Sequence, residues 1–140
     1  ATSIFADVLS SRVLGRIRSQ LPIGEDFELY GDGSERRDFM HADDFLDVCR
    51  KLAERGIIEQ GVNVINVGSG KSVSLRHVLN LAIQHSPYSR PGLSVKFNEI
   101  KRPGDPHTIS VSIQKLRMQL GIDNFDYEAS LIKYFAQKHW

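Results

Sequence analysis

The chain has 140 residues, of which 41% are apolar and 25% charged, a balance typical of one globular domain with a core of modest size. Eighteen basic and seventeen acidic side chains give a formal charge of +1, which argues against a protein that coats nucleic acid or an anionic membrane. The single cysteine, Cys49, excludes an internal disulfide framework and favours a reducing, cytoplasmic location. No apolar run approaches the roughly 20 residues that a membrane-spanning helix needs, so we expect no membrane partner.

Hydrophobic spacing and turn residues divide the chain into five helices and four strands. In chain order we expect a helix at residues 2–20, strands at 27–30 and 38–41, a helix from 43 or 44 to about 56, a strand at 63–67, a helix at 75–85, a strand at 93–97, and helices at 113–120 and 127–139. The sequence therefore predicts a single α/β domain over residues 1–140, or alternatively an α+β domain, in which a small mixed sheet is flanked by helices.

Three expectations concern the region around the Gly-Asp-Gly segment at residues 31–33. Glycines supply the unusual backbone angles of a tight reversal, so the two strands beside this segment are expected to pair as a hairpin. Asp43 or Asp44, after the second strand, is expected to cap the following helix. Cys49 lies on the apolar face of that helix, and we interpret it as a buried small hydrophobe.

Arg37 follows the glycine turn and is the leading candidate for an anion-binding residue. A guanidinium can meet two phosphate oxygens at once, and a glycine turn lets a pyrophosphate approach the backbone. The alternative is a solvated arginine, or one that pairs with Asp38 or Asp43. Arg36 is expected to point to the opposite face of the strand, because side chains alternate along a strand.

Arg102 and Asp105 lie in the segment Arg-Pro-Gly-Asp-Pro, which also suggests binding. The two prolines restrict the chain and hold both polar side chains in a fixed turn. The alternative is a surface turn in which the aspartate bonds only to its own backbone.

The segments at residues 30–44, 66–70 and 102–106 occur in an order that resembles the NAD-dependent nucleotide-sugar epimerases and dehydratases, a family of extended short-chain dehydrogenases. The resemblance runs from about residue 9 to the end of the chain. It corresponds to the C-terminal, substrate-binding half of that fold, without the complete Rossmann domain. It implies that a full-length enzyme holds NAD(P) elsewhere, and that these residues alone bind no cofactor and perform no catalysis.

The resemblance also implies roles for five residues. Arg37 and Arg102 would contact the two phosphates of a nucleoside-diphosphate sugar, and Asp105 would contact its ribose. Tyr30 would lie near the base, and Asn66 would face the nucleotide from the end of a strand. From the residues alone, Tyr30 can equally be a packing residue and Asn66 a strand-end cap.

Partners follow from the same resemblance. The helix after Asp44 and the strand that ends at Asn66 would pack on the Rossmann half of such an enzyme. Without that half, the chain is expected to expose apolar surface and to associate with itself or with a separate chain. The alternative hypothesis is a standalone module that binds a nucleotide sugar or another protein without catalysis.

Three further motifs are interpreted as coincidental. Residues 68–73 imitate a dinucleotide-binding turn, but Val73 stands where its third glycine is needed. Tyr134 and Lys138 reproduce the Tyr-x-x-x-Lys spacing of the family's catalytic helix, but nothing before them in the chain could hold a nicotinamide. The His-Ala-Asp-Asp run at residues 41–44 is explained by helix capping more simply than by metal binding.

Overall fold

The computed structural model describes residues 3–6, 12–56 and 63–138, and within these ranges it contains five helices and six short strands. In chain order they are β1 (Ser3–Phe5), α1 (Val13–Gln20), β2 (Phe27–Leu29), β3 (Arg36–Arg37), β4 (Phe39–His41), α2 (Ala42–Glu54), β5 (Val73–Ser74), α3 (Leu75–His85), β6 (Val95–Phe97), α4 (Gln114–Leu120) and α5 (Tyr127–Ala136). This mixture of helices and strands confirms the predicted α/β class. None of the described helices is long and apolar enough to cross a membrane.

The strands pair in three separate two-stranded sheets. β1 lies parallel to β4, β2 lies parallel to β6, and β3 lies antiparallel to β5. The predicted hairpin is therefore wrong, although both of its strands exist. The glycine turn leads from β2 into β3. The two strands predicted as a hairpin are β2 and β4, and they pair with β6 and β1, which are distant in the sequence.

The first predicted helix is wrong at its beginning. Ile4 and Phe5 belong to β1, and α1 begins only at Val13. β-Branched and aromatic residues favour strands, and hydrophobic spacing over so short a run does not distinguish a strand from a helix. The parts of that prediction at residue 2 and residues 7–11 lie outside the described residues.

The predicted strand at residues 63–67 is also wrong. A strand needs hydrogen bonds to a neighbouring strand, and none of the three described sheets includes this segment. Its backbone contacts α4 instead, because the carbonyl of Val64 accepts a hydrogen bond from Lys115 Nζ at 3.0 Å.

α2 begins at Ala42, one or two residues earlier than predicted. The predicted N-cap, Asp43 or Asp44, is wrong, because the N-cap is His41. The Nδ1 atom of His41 accepts a hydrogen bond from the backbone N–H of Asp43 at 3.2 Å. Asp43 and Asp44 lie in the first turn, where negative charge is favourable. Partial burial raises the pKa of the Asp44 carboxyl above its usual value.

The prediction that Cys49 is buried is wrong, because α2 has apolar residues on two faces. Val48 is fully buried, and this side of the helix packs into the core. Cys49 and Leu46 point outward, and Leu46 is 61% exposed. Spacing alone cannot say which of two apolar faces a helix will bury.

Two hydrophobic clusters form the core. The larger one packs α1, α3 and α5 against the β1–β4 and β2–β6 sheets, and its largest fully buried members include Ile17, Leu21, Leu29 and Leu131. The smaller one packs α2 against α4, with Met40, Val48 and Leu116 at its centre.

Asp38 links β3 to β4 and is fully buried. Its carboxylate accepts hydrogen bonds from the backbone N–H of Ser69 at 2.7 Å, from the Ser69 hydroxyl at 2.8 Å and from the backbone N–H of Gly70 at 3.1 Å. These bonds fix the turn at residues 68–70 against the two strands. A buried carboxylate can remain stable when such donors satisfy it.

We predict that Asp38→Ala lowers the free energy of unfolding by about 3 kcal/mol, since three donors, two of them on the buried Ser69, lose the carboxylate that accepts from them. Urea unfolding followed by circular dichroism would measure this. Asp123→Ala is the control, because that aspartate is exposed and should change stability by less than about 0.5 kcal/mol. Equal unfolding free energies for the two variants would contradict the structural role of Asp38.

Candidate functional site

A cavity of about 340 Å³ opens between the beginning of α1 and the loop that contains residues 102–109. This volume lies in the range of small-molecule binding sites. Its floor is formed by apolar residues of the larger core cluster. Among the described residues, its charged lining consists of four arginines and one aspartate, which are Arg12, Arg16, Arg37, Arg102 and Asp105. The cavity therefore suits an anion with an attached apolar or aromatic part.

Backbone pairing of β3 brings two parts of this cavity together. The N–H of Arg36 donates to the carbonyl of His107 at 2.7 Å, and the N–H of Ile109 donates to the carbonyl of Arg36 at 2.9 Å. β5 pairs with the other side of β3. Arg36 is exposed and donates to the Ser72 hydroxyl at 3.2 Å, whereas Arg37 is buried and lines the cavity. This confirms that the two arginines point to opposite faces.

Arg37 is held by three hydrogen bonds. Its Nη1 donates to the carbonyls of Arg36 at 2.9 Å and His107 at 3.3 Å, and its Nη2 donates to Asp105 Oδ1 at 2.6 Å. The Arg37 side chain is 10% exposed and that of Asp105 is 50% exposed. The carboxylate that pairs with Arg37 is thus Asp105, and the alternative pairing with Asp38 or Asp43 does not occur. The two carbonyls therefore fix the direction of the Arg37 guanidinium, and its Nη2 edge contacts the exposed loop that contains Asp105.

Tyr30 and Arg102 meet because the pairing of β2 with β6 continues past both strands. The N–H of Gly31 donates to the carbonyl of Ile100 at 3.1 Å, which places the following loop beside the aromatic ring. The Cζ atom of Arg102 lies 3.9 Å from the centre of the Tyr30 ring, and that of Arg16 lies 5.7 Å from it. Both distances are within the range of cation–π contacts. The ring thus orients two guanidinium groups at one end of the cavity.

The glycine turn has the geometry expected from the sequence. Gly31 and Gly33 have φ angles of 86° and 84°. The Glu35 carboxylate accepts from the N–H of Asp32 at 3.2 Å and from that of Gly33 at 3.0 Å. A Cβ atom at Gly31 would lie 2.0 Å from Glu35 Oε1, so a larger residue would displace this carboxylate. Hydrogen bonding with Ser34 lowers the pKa of Asp32, which therefore remains ionised at neutral pH.

The structure brings together four of the five residues implicated by the sequence. Tyr30, Arg37, Arg102 and Asp105 line the cavity, whereas Asn66 is exposed and does not line it. The role of Asn66 stays a prediction without support from this cavity.

Sequence reasoning missed Arg12 and Arg16, which also line the cavity. The signal that could have found them is their spacing. Residues four apart at the beginning of a helix lie on the same face, so both guanidinium groups can reach one site.

Tyr134 and Lys138 do not share an environment. Tyr134 is 2% exposed, and its ring packs against those of Phe5 and Phe135, with the Arg18 Cζ atom 4.2 Å from its centre. Lys138 is exposed. Within residues 3–6, 12–56 and 63–138, no group of three or more His, Cys, Asp or Glu side chains could hold a metal ion.

Comparison with known proteins finds a family match over part of the chain. Residues 5–68 match the NAD dependent epimerase/dehydratase family. This match covers a little less than half of the chain. Among curated proteins, GDP-L-fucose synthase 1 of Arabidopsis thaliana is 37% identical over 57 residues, which is 41% of this chain and 17% of that protein.

Solved structures share the fold over nearly the whole chain. UDP-N-acetylglucosamine 4-epimerase of Methanobrevibacter ruminantium, in complex with UDP-N-acetylmuramic acid, superposes with a TM-score of 0.75 at 23% identity over 96% of this chain and 44% of that one. UDP-glucuronic acid 4-epimerase of Bacillus cereus, in complex with UDP-glucuronic acid and NAD, gives 0.67 at 17% identity over 96% and 43%. At these identities the likeness establishes the fold, and the chain spans less than half the length of both structures.

The turn at residues 68–70 does not fit the pyrophosphate of NAD. A dinucleotide-binding turn presents unbonded backbone N–H groups to the phosphates. Here the N–H groups of Ser69 and Gly70 already donate to Asp38, and that of Lys71 donates to the Ser69 hydroxyl at 3.2 Å. We therefore assign no step of nicotinamide chemistry to these residues.

Proposed function

We propose that this chain is the nucleoside-diphosphate-sugar-binding part of an NAD-dependent sugar-nucleotide epimerase or dehydratase, and that it corresponds to the C-terminal half of that fold. The observation that carries the proposal is that Arg37 and Arg102, which are distant in sequence, line one cavity together with the Asp105 carboxylate. Two guanidinium groups in one cavity match the two charges of a diphosphate diester. The family match at residues 5–68 supports the same conclusion.

In this proposal each residue acts through contacts that its position favours. Arg37 binds one phosphate with a guanidinium that is already fixed by two backbone carbonyls, so little conformational entropy is lost on binding. Arg102 binds the second phosphate, Asp105 accepts hydrogen bonds from the ribose, and Tyr30 packs near the base.

The proposal places NAD(P) and the catalytic residues in another part of the protein. In the turn at residues 68–70, the backbone N–H groups of Ser69 and Gly70 already donate to Asp38, and Tyr134 is packed in the core. We expect these residues alone to bind substrate without converting it. A cytoplasmic location stays a prediction from the cysteine count.

The second candidate is a standalone module that binds a nucleotide sugar or a protein without catalysis. The outer face of α2, which consists of Leu46, Cys49 and Ala53, favours a protein contact of some kind because all three residues are exposed. In the first proposal this face packs on the Rossmann half of the enzyme. When the Rossmann half is absent, the face packs on a second copy of the chain.

We predict that Arg37→Ala and Arg102→Ala each weaken binding of the correct nucleoside-diphosphate sugar by about 1.5 to 3 kcal/mol, the value of a hydrogen bond to a charged group. Isothermal titration of the chain with UDP-, dTDP-, GDP- and CDP-sugars would identify the ligand and measure the loss. Arg36→Ala removes the same charge on the opposite face and should leave the affinity within about 0.5 kcal/mol of wild type. Unchanged affinity in both cavity variants would refute the proposal, and urea unfolding of each variant verifies that it is folded.

The outer face of α2 gives a separate prediction. Leu46→Glu should shift the chain toward the monomer in sedimentation velocity, because a charge replaces an apolar contact between copies. Ile23→Glu is the matched control, since Ile23 is 55% exposed outside α2 and should leave the distribution unchanged. A wild-type chain that remains monomeric at all concentrations would contradict self-association through this face.

A further inference from the structure

The phosphate-binding edge of Arg37 is already occupied by a carboxylate from the chain itself. Asp105 Oδ1 lies 2.6 Å from Arg37 Nη2, at the distance of a charge-assisted hydrogen bond. The remaining contacts of Arg37 run to backbone carbonyls, which hold the guanidinium in place and do not compete as anions. An incoming phosphate that contacts this edge must therefore displace Asp105 or share Arg37 with it.

The position of Asp105 allows displacement. Residues 101–108 are all exposed, and the Asp105 side chain is half exposed although its partner is buried. Gly104, directly before it, has a φ angle of 78° and no atom within 4 Å of its Cβ position, so the turn has open space beside it. Pro103 and Pro106 restrict the loop on both sides, which keeps Asp105 near the cavity after it leaves Arg37.

The free energy cost of displacing Asp105 from Arg37 depends on which other groups of the ligand can contact the freed carboxylate. With inorganic pyrophosphate, the Arg37–Asp105 pair is broken and a carboxylate is left beside a bound anion of the same sign, which is unfavourable. With a nucleoside diphosphate, the displaced carboxylate can accept hydrogen bonds from the ribose hydroxyls, which compensate for the lost ion pair. The same ion pair therefore penalises the two ligands unequally.

We propose that Asp105 is a specificity-determining residue: its ion pair with Arg37 excludes phosphate anions that carry no nucleoside, and a nucleoside diphosphate binds because its ribose engages the carboxylate that it displaces. This inference rests on the proposed function and adds to it a discrimination against inorganic pyrophosphate and other free phosphate anions. Discrimination of this kind depends on a repulsive group, here the Asp105 carboxylate, whose unfavourable effect the wrong ligand cannot offset.

Isothermal titration of the wild-type chain and of Asp105→Asn with sodium pyrophosphate tests the inference. The amide keeps the size of the side chain and removes its charge, so pyrophosphate should bind about tenfold more tightly to the variant, a change that corresponds to ~1.4 kcal/mol. UDP, dTDP, GDP and CDP are titrated in turn, and the nucleotide that binds should gain nothing or lose affinity in the same variant, since its ribose contact is weakened. Asp123→Asn, an exposed aspartate away from the cavity, should bind both ligands like wild type.

The outcomes separate the inference from the proposed function. Equal affinity of wild type and Asp105→Asn for pyrophosphate, or no binding by either, overturns the inference, and so does an equal gain for pyrophosphate and nucleotide. If the wild-type chain binds none of the four nucleoside diphosphates, the proposed function is overturned instead. Asp105→Ser serves as a second variant and should give the same change in selectivity, because it also removes the charge.

Discussion

The site depends on a short stretch of backbone pairing between β3 and the chain around residues 107–109. Two hydrogen bonds, from Arg36 to His107 and from Ile109 to Arg36, join segments that are far apart in sequence. Because side chains alternate along a strand, this pairing turns Arg37 toward the cavity and brings the loop of Arg102 and Asp105 against it. If it were lost, neither the cavity nor the Arg37–Asp105 ion pair would persist.

Carboxylates and arginines have different tasks in this structure. Asp38 and Glu35 accept hydrogen bonds from backbone N–H groups and fix the turns at residues 68–70 and 31–33. The arginines of the cavity instead face a shared space, and Asp105 is the acid that lines it with them. As a result, a chain with a formal charge of only +1 concentrates positive charge at one place. Weak overall charge and a strongly cationic site are therefore compatible.

The sequence predicted the α/β class, most helices and four cavity residues, but it did not predict how the strands pair. Helix α3 was predictable because apolar spacing and the Ser74 cap are local signals, and Ser74 does accept from the N–H of His77. Strand partners depend on distant segments, so the hairpin and the strand at residues 63–67 were wrong. The burial of Cys49 failed for a related reason, since local spacing does not reveal which helix face has a neighbour. The significance of Arg12 and Arg16 appears only in the folded chain, where both line the cavity and Arg16 lies against the Tyr30 ring.

Binding of one diphosphate by Arg37 and Arg102 together can be observed by nuclear magnetic resonance of the arginine Nε–Hε groups. The isotope-labelled chain is titrated with the nucleoside-diphosphate sugar that binds, and each arginine signal is assigned by substitution. We predict that the signals of Arg37 and Arg102 shift along a single saturation curve, while that of Arg90, which does not line the cavity, stays in place. Shifts of the two arginines with different apparent dissociation constants, or no shift of either, would contradict a shared phosphate site.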